Sequence, residues 1–342
     1  MERFSIEFIN IVSFQKHSLY DFELPFDDKG KAYGDDERDE VIAIRITNCT
    51  KIPQEAFFHC DKLRVVIMDD CVEEIGNVAF FRCFSLEYIR LSRNTRRIGR
   101  VAFAECKSLP SLFIPQGCKE IGRCAFEGCE SLTILNVPMS VQFIDISVSK
   151  CDRLLEHSEF TTTDENAFQD FIRNRFKHLH LHQICCSSNL TSSEVRAVIS
   201  NLGSKSCLDL DYQGMTALHI LMANPYLACH DTAIVKELLK VCPEAGSVWD
   251  KFGKLPVHYL VTKPVGCSLD LISLYRTFCP VIQCISGYNS LVTNAYSCQY
   301  KASTFSQKVI RFIFHHYCPS MDVSDLELTV ADYLKHCPAC DL

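Results

Sequence analysis

The chain has 342 residues, of which 47% are hydrophobic and 23% are charged, so it can bury a substantial core and we expect two domains or two repeat arrays. The net charge of −7 and the isoelectric point near 5.9 argue against a dedicated nucleic-acid binder, whose domain is normally basic. Apolar runs are too short to span a bilayer and charges interrupt the first twenty residues, so we expect neither a membrane span nor a signal peptide.

Residues 1–40 are predicted to form an N-terminal cap followed by an acidic loop. Aromatic residues recur in the first part, where they would shield the open end of a repeat array from water. The second part, residues 27–40, reads DDKGKAYGDDERDE and is predicted to be exposed.

Residues 41–157 repeat with a period of 23. Four columns carry the period: Ile52, Ile75, Ile98 and Ile121; Ala56, Ala79, Ala102 and Ala125; Phe57, Phe80, Phe103 and Phe126; Leu63, Leu86, Leu109 and Leu132. In each unit the segment from Ile-Gly to Cys has helical spacing, and the segment after Leu alternates like a strand. No unit can bury its apolar face alone, so the units are predicted to stack.

The unit IGRVAFAECKSLPSLFIP, residues 98–115, resembles the BspA-type leucine-rich repeat. The resemblance implies an α/β leucine-rich-repeat solenoid of short parallel strands plus short helices. It also implies that outward strand residues line a concave, partner-binding surface.

Strand alternation assigns each side chain to one of two faces. The inward residues are Val66, Met68, Ile89, Leu91, Leu112, Ile114, Leu135 and Val137. The outward residues, our candidate partner-binding site, are Val65, Ile67, Tyr88, Arg90, Ser111, Phe113, Ile134 and Asn136. Exposed apolar patches commonly mark partner sites. The alternative is that the second array or the acidic N-terminal segment covers this face, and the sequence leaves both open.

Residues 158–166 are polar, lack the period and are predicted to be a linker. After them GMTALHIL, residues 214–221, recurs 39 residues later as GKLPVHYL, and His182 precedes His219 by 37 residues. This pattern resembles ankyrin repeats, which implies an all-α ankyrin-like helical repeat array over 167–342. The resemblance also implies that Thr216 and His219 form hydrogen bonds at a helix start.

The 21 cysteines argue for a reducing environment, because Cys60, Cys83, Cys106 and Cys129 share one repeat position where a thiol serves as a small buried apolar group. We therefore expect a cytoplasmic protein. A secreted adhesin, with oxidised cysteines, is the third functional hypothesis.

Two polar clusters suggest an alternative function, metal binding or redox sensing. The first is His178, His180, His182, Cys185 and Cys186; the second is His336, Cys337 and Cys340 with His315, His316 and Cys318. The ankyrin-like register explains His182 as a turn residue, and Cys-Pro recurs after several predicted helices as a helix-ending device.

A basic stripe is either a docking surface for an acidic partner or, by the simpler interpretation, a solvated face. It comprises Arg90, Arg93, Arg96, Arg97, Arg100, Lys107, Lys119 and Arg123.

Familiar catalytic and nucleotide-binding motifs are missing from the sequence. The leading hypothesis is a non-enzymatic protein–protein interaction scaffold with no cofactor. We expect a protein partner, no nucleic acid, no membrane association and a monomer.

Overall fold

The computed structural model describes residues 5–8, 43–144, 150–158, 165–227 and 232–261. They fall into two compact units. The first contains the described residues up to Leu190 together with Asn224–Tyr226, and the second contains Thr191–Ala223 and the described residues from Leu227 onward. Most of the predicted linker at 158–166, residues 159–164, lies outside the described residues. The acidic loop at 27–40 and the predicted repeats beyond residue 261 lie outside the described residues.

The first unit is built from short strands that stack in sequence order. They are β1 (Ser5–Phe8), β2 (Ala43–Thr47), β3 (Lys51–Ile52), β4 (Val65–Met68), β5 (Glu74–Ile75), β6 (Tyr88–Arg90), β7 (Arg97–Ile98), β8 (Ser111–Phe113), β9 (Glu120–Ile121), β10 (Ile134–Asn136) and β11 (Phe143–Ile144). One sheet has the order β1-β2-β4-β6, β8 pairs with β10, and a second sheet has the order β11-β9-β7-β5-β3. All these pairs are parallel except β1 with β2. The parallel solenoid predicted for this region is thus confirmed.

Side chains from the five-stranded sheet, from the β1-β2-β4-β6 sheet and from the β8-β10 pair form the core, and every inward assignment is confirmed. Val66, Met68, Ile89, Leu91, Leu112, Ile114, Leu135 and Val137 all belong to one buried cluster. The phenylalanine column runs through it as a stack. Successive ring centroids from Phe57 through Phe80 and Phe103 to Phe126 are 4.9, 5.2 and 6.3 Å apart. The 23-residue period is therefore a period of core packing.

The short helices expected between Ile-Gly and Cys are turns instead. Each turn holds two residues in the left-handed region, exemplified by Val78 at φ 60° and Arg82 at φ 61°, and such values interrupt an α-helix. The backbone bonds to the neighbouring turn rather than within its own. The Phe57 amide donates to the Ala79 carbonyl at 2.7 Å, and the same bond recurs one turn later. Stacking of the turns thus provides hydrogen-bond partners for the backbone amide and carbonyl groups that a helix would pair within itself.

Helices follow the strands. In the first unit they are α1 (Asp152–Leu155), α2 (Glu165–Asn174) and α3 (His180–Cys185). In the second unit they are α4 (Ser192–Leu202), α5 (Ala217–Ala223), α6 (Thr232–Val241) and α7 (Pro256–Val261), with 3-10 helices at Ser204–Leu208 and Pro243–Ser247. Helix α4 begins at a reciprocal cap, in which the Thr191 hydroxyl accepts from the Glu194 amide and the Glu194 carboxylate accepts from the Thr191 amide.

Two turns of the second unit repeat one hydrogen-bond pattern. Asp211 accepts from the amides of Gln213 and Met215, each at 2.9 Å, and Asp250 accepts from the amides two and four residues later. The Thr216 amide donates to His219 Nδ1 at 3.0 Å. The Thr216–His219 bond is the one that we expected at this helix start.

Candidate protein-binding face

The eight candidate residues lie on β4, β6, β8 and β10 and share the side of the sheet opposite the core; we call them the outer strand face. The members are Val65, Ile67, Tyr88, Arg90, Ser111, Phe113, Ile134 and Asn136. Tyr88, Arg90 and Ser111 are half-buried. Ile67 and Asn136 are buried. The structure therefore brings the predicted set together on one surface, but it exposes only the middle of that set.

An exposed apolar stripe is not what the structure shows. Val65 and Ile134 are 0% exposed and Phe113 is 1% exposed. None of the three belongs to the core cluster, so a second buried layer lies on the outer side of the strands. Burial of apolar side chains stabilises a protein whichever packed surface excludes the water. Strand alternation does not reveal that a surface covers the outer side of a strand.

Part of this cover is a short segment within the same unit, Asn224–Tyr226. The Tyr226 hydroxyl donates to the Phe113 carbonyl at 3.4 Å. The Tyr88 hydroxyl donates to the Pro225 carbonyl at 3.5 Å. Burial raises the pKa of Tyr226, so its phenol stays protonated and remains a donor. At this point, a segment of the first unit covers the outer strand face.

A charged network flanks the buried tyrosine. Arg93 donates from Nη1 to Asp70 at 2.9 Å and from Nε to the Ser188 carbonyl at 2.9 Å. Its guanidinium carbon lies 5.6 Å from the centre of the Tyr226 ring. Burial acts to raise the pKa of Asp70, but the hydrogen bonds from Arg93 and the charge of Arg90 outweigh it and hold the pKa below its ordinary value. The carboxylate therefore stays ionised and fixes Arg93.

Sequence reasoning missed Asp70, Arg93 and Tyr226 as parts of this face. A signal existed for the first two, since opposite charges at a separation of 23 residues adjoin in neighbouring turns. The tyrosine gave none, because its contact with Phe113 spans 113 residues outside any period.

Helix α2 and the residues after it contact the last described turns of the solenoid. The Arg173 side chain donates to the Val141 carbonyl at 2.6 Å, and buried Arg175 donates to the Thr133 carbonyl at 2.8 Å. A charged donor satisfies a buried carbonyl strongly. These arginines therefore supply partners to carbonyl groups near the C-terminal end of the stack.

The first candidate metal cluster does not lie on an extended segment. Helix α3 begins at His180, so His180 and His182 do not share one face as they would on a strand. His178 and His180 are exposed, whereas His182 is buried against the Phe176 ring at 5.6 Å. Within the described ranges, no group of three or more His, Cys, Asp or Glu is placed to hold a metal ion. The second cluster, around His336, Cys337 and Cys340, lies outside those ranges.

None of the helices in the described part of the chain combines the length and apolar character needed to cross a membrane.

Three solved structures share similarity with about a third of this chain. A leucine-rich repeat protein of T. pallidum is 27% identical over 33% of this chain and 62% of its own, with a TM-score of 0.30. A leucine-rich cell surface protein of Faecalibacterium prausnitzii is 35% identical over 32% and 30%, with a TM-score of 0.31. A leucine-rich repeat protein of Bacteroides ovatus is 24% identical over 32% and 38%, with a TM-score of 0.24. The chain thus spans less than two thirds of each.

No curated protein matches the chain. A family model described as the BspA type leucine rich repeat region matches residues 39–154 in six copies. Those are the residues that carry the 23-residue columns and the parallel strands. Residues 39–154 therefore comprise leucine-rich repeats of the BspA type.

Proposed function

We propose that this protein is a non-enzymatic scaffold that binds a protein partner through the outer strand face of its leucine-rich repeats. One observation carries the proposal: Tyr88, Arg90 and Ser111 are solvent-accessible on short strands that a continuous core holds rigid. Tyrosine and arginine dominate the energetics of protein interfaces. A rigid strand layer presents them with little loss of conformational entropy on binding.

A steric block on this face tests the proposal. Ser111→Arg adds a long charged side chain to β8, and Ser108→Arg makes the same change three residues earlier, outside the strand; both serines are half-buried. We expect Ser111→Arg to abolish affinity capture of specific partners from native cell extract, because the added guanidinium occupies the contact surface. We expect Ser108→Arg to retain it. Equal capture by both variants, with equal unfolding midpoints, would contradict the proposal.

We also propose that the chain from helix α3 onward is an ankyrin-like array. Its support is the repeated aspartate turn and the position of His182, His219 and His258, each the third residue of its helix. His219 Nε2 also lies 3.2 Å from the Lys254 carbonyl in the next turn. Such bonds join consecutive repeats, as expected for an array that contacts between neighbouring repeats stabilise.

We also propose that the protein works in a reducing, cytoplasmic environment. No disulfide joins the cysteines of the described residues, and all of these cysteines except Cys71 and Cys124 are buried. Disulfides stabilise proteins in oxidising compartments, whereas here the thiols serve packing. Alkylation of denatured native protein followed by mass measurement tests this. We expect all 21 thiols to react; a protein that takes up label only after reduction would favour the adhesin hypothesis.

A further inference from the structure

A short segment of the same chain contacts the outer strand face. We call Asn224–Tyr226 the tyrosine segment. It belongs to the same compact unit as the leucine-rich repeats, whereas the residues on both sides of it belong to the second unit. The assignment of these three residues to the first unit therefore depends on the contacts that their own atoms make.

The tyrosine segment is a preformed turn. The Tyr226 amide donates to Asn224 Oδ1 at 2.9 Å, which is the bond of an Asx turn. Asn224 Nδ2 donates to the carbonyls of Cys185 and Ser187 at 2.8 and 3.0 Å. Both ends of the buried amide are thus used, so the turn is held in one geometry.

The leucine-rich repeats provide three groups that contact this turn. The Phe113 carbonyl accepts from the phenol, the Arg93 guanidinium lies against the ring, and the Tyr88 hydroxyl donates to the Pro225 carbonyl. The Phe113 carbonyl lies on β8, and β6 and β8 are not joined in one ladder of the described strands. We call the Phe113 carbonyl, the Arg93 guanidinium and the Tyr88 hydroxyl the tyrosine slot, and its Tyr88 and Phe113 groups lie on the two strands between which the sheet is interrupted.

These contacts select tyrosine by its chemistry. Phenylalanine would keep the contact with the guanidinium but would leave the Phe113 carbonyl without this donor. At 3.4 and 3.5 Å, however, the two hydroxyl bonds are long for O–H donors, so the contact is weak enough to be exchanged.

We propose that the outer strand face is a tyrosine-binding surface which the tyrosine segment keeps occupied, and that its partner is a protein presenting a tyrosine in a tight turn that displaces this segment. The inference rests on the proposed function. A segment tethered in the same chain acts at an effective concentration of about millimolar, so weak ligands are excluded. A partner that reproduces the tyrosine contacts and buries additional surface of its own displaces the segment.

The probe is a fluorescent synthetic peptide with the sequence of residues 222–228, MANPYLA. Binding is measured by anisotropy to the full-length protein, to Tyr226→Ala and to Tyr212→Ala, a matched change of a half-buried tyrosine in the second unit. We expect Tyr226→Ala to bind the peptide at least tenfold more tightly than the other two proteins, because its slot is vacant. The same peptide with phenylalanine for tyrosine should bind about fivefold more weakly, as the loss of one hydrogen bond predicts.

Two further measurements keep the test decisive if Tyr226→Ala folds poorly. In the unchanged protein, excess peptide should accelerate hydrogen exchange at the Tyr226 amide, because displacement of the turn exposes this buried amide to water. In the Tyr226→Ala background, Arg93→Ala should return peptide affinity toward that of the unchanged protein. Absence of the exchange effect together with equal peptide affinities would overturn the proposal.

The outcomes separate this inference from the proposed function. Loss of partner capture in Ser111→Arg, without peptide binding by any variant, would leave the partner-binding face standing and refute the tyrosine slot. Peptide binding by Tyr226→Ala, with capture that is insensitive to Ser111→Arg, would refute that face as the partner site and confirm the slot. Increased capture of the same partners by Tyr226→Ala supports both.

Discussion

At the residue scale, the repeated cysteine is a hydrogen-bonding core residue and not a reactive centre. The Cys83, Cys106 and Cys129 thiols each donate to the carbonyl 26 residues earlier, at 3.1 to 3.2 Å. Cys151 makes the same bond over 25 residues at 3.1 Å, although it falls one residue short of register. Burial raises the pKa of Cys151 to about 12 and that of the other three well above 9.0.

This column predicts a loss of stability in alkaline solution. A thiol whose pKa is raised in the folded state contributes stability that is complete below its unfolded pKa of about 8.5 and is lost as the pH rises above that value. Each such thiol lowers the free energy of unfolding by up to about 1.4 kcal/mol per pH unit. Urea unfolding between pH 7 and pH 10, under reducing conditions, should therefore show a steep decline.

Cys106→Ala should make that decline shallower, since one thiol of the column no longer ionises on unfolding. Cys71→Ala, at a half-buried position outside the column, serves as the matched control and should leave the slope unchanged. Identical slopes for the two variants would show that the decline has another origin.

At the element scale, the distance between turns is set by a glycine column, Gly76, Gly99 and Gly122. A Cβ atom on Gly99 would lie 2.5 Å from the carbonyl carbon of Gly76 and 2.6 Å from the amide nitrogen of Asn77. Both are backbone atoms of the preceding turn and cannot move aside alone. Only glycine allows the turns to approach this closely.

Gly99→Ala is therefore expected to lower the free energy of unfolding by about 3 kcal/mol, the upper range for overpacking. Gly117→Ala is the control, because a Cβ atom there would come no closer than 4.0 Å to the Arg93 carbonyl oxygen, which is ordinary van der Waals contact. The control should change stability by no more than about 0.5 kcal/mol in urea unfolding. A similar loss in both variants would contradict the assigned role of the glycine column.

Charges also specify how neighbouring turns pair. Lys51, Glu74, Arg97 and Glu120 occupy successive rungs of one parallel sheet and alternate in sign. The Lys51–Glu74 and Arg97–Glu120 pairs are separated by 3.2 and 3.3 Å. Opposite charges on adjacent strands favour this register over one displaced by a turn.

Glu74→Lys would place three cations in a row on this sheet. We expect a loss of about 1 kcal/mol in the free energy of unfolding at low ionic strength, because the pairs are partly exposed and screened by solvent. The loss should shrink in 0.5 M NaCl. Glu237→Lys, outside this sheet on α6, should cost less and depend less on salt. A loss that salt does not alter would mean that packing, not charge, is responsible.

At the scale of the whole molecule, the first unit is a sum of turns that contact their neighbours. A copy of residues 75–120 inserted after Glu120 adds two periods and preserves the core columns and the sign alternation. We expect a single unfolding transition with a larger dependence on urea, because more surface is exposed on unfolding. The same insertion with one extra glycine should lose cooperativity, since it breaks the register. Equal behaviour of the two insertions would argue against turn-to-turn packing as the source of stability.

Sequence period explains which parts of the molecule could be predicted. Phe103, Leu109 and Ile114 were assignable to the core because their surroundings repeat at fixed separations. The left-handed conformation of Val78 was not predictable, because β-branched residues rarely adopt it and its amide bonds to the Arg100 carbonyl, which lies in the next turn. The cover over Phe113 was also invisible, since no repeat relates Tyr226 to the strands.

The antiparallel strand β1 has a consequence for self-association. A sheet of identical parallel rungs ends in an unpaired edge, which can template the addition of a strand from another molecule. Here β1 pairs with β2 in the opposite direction, with Ile6 beside Ile46. A second copy that approached this edge would meet a strand of reversed polarity, so it could not continue the repeat in register. The direction of these four residues thus disfavours continuation of this sheet from one molecule into the next.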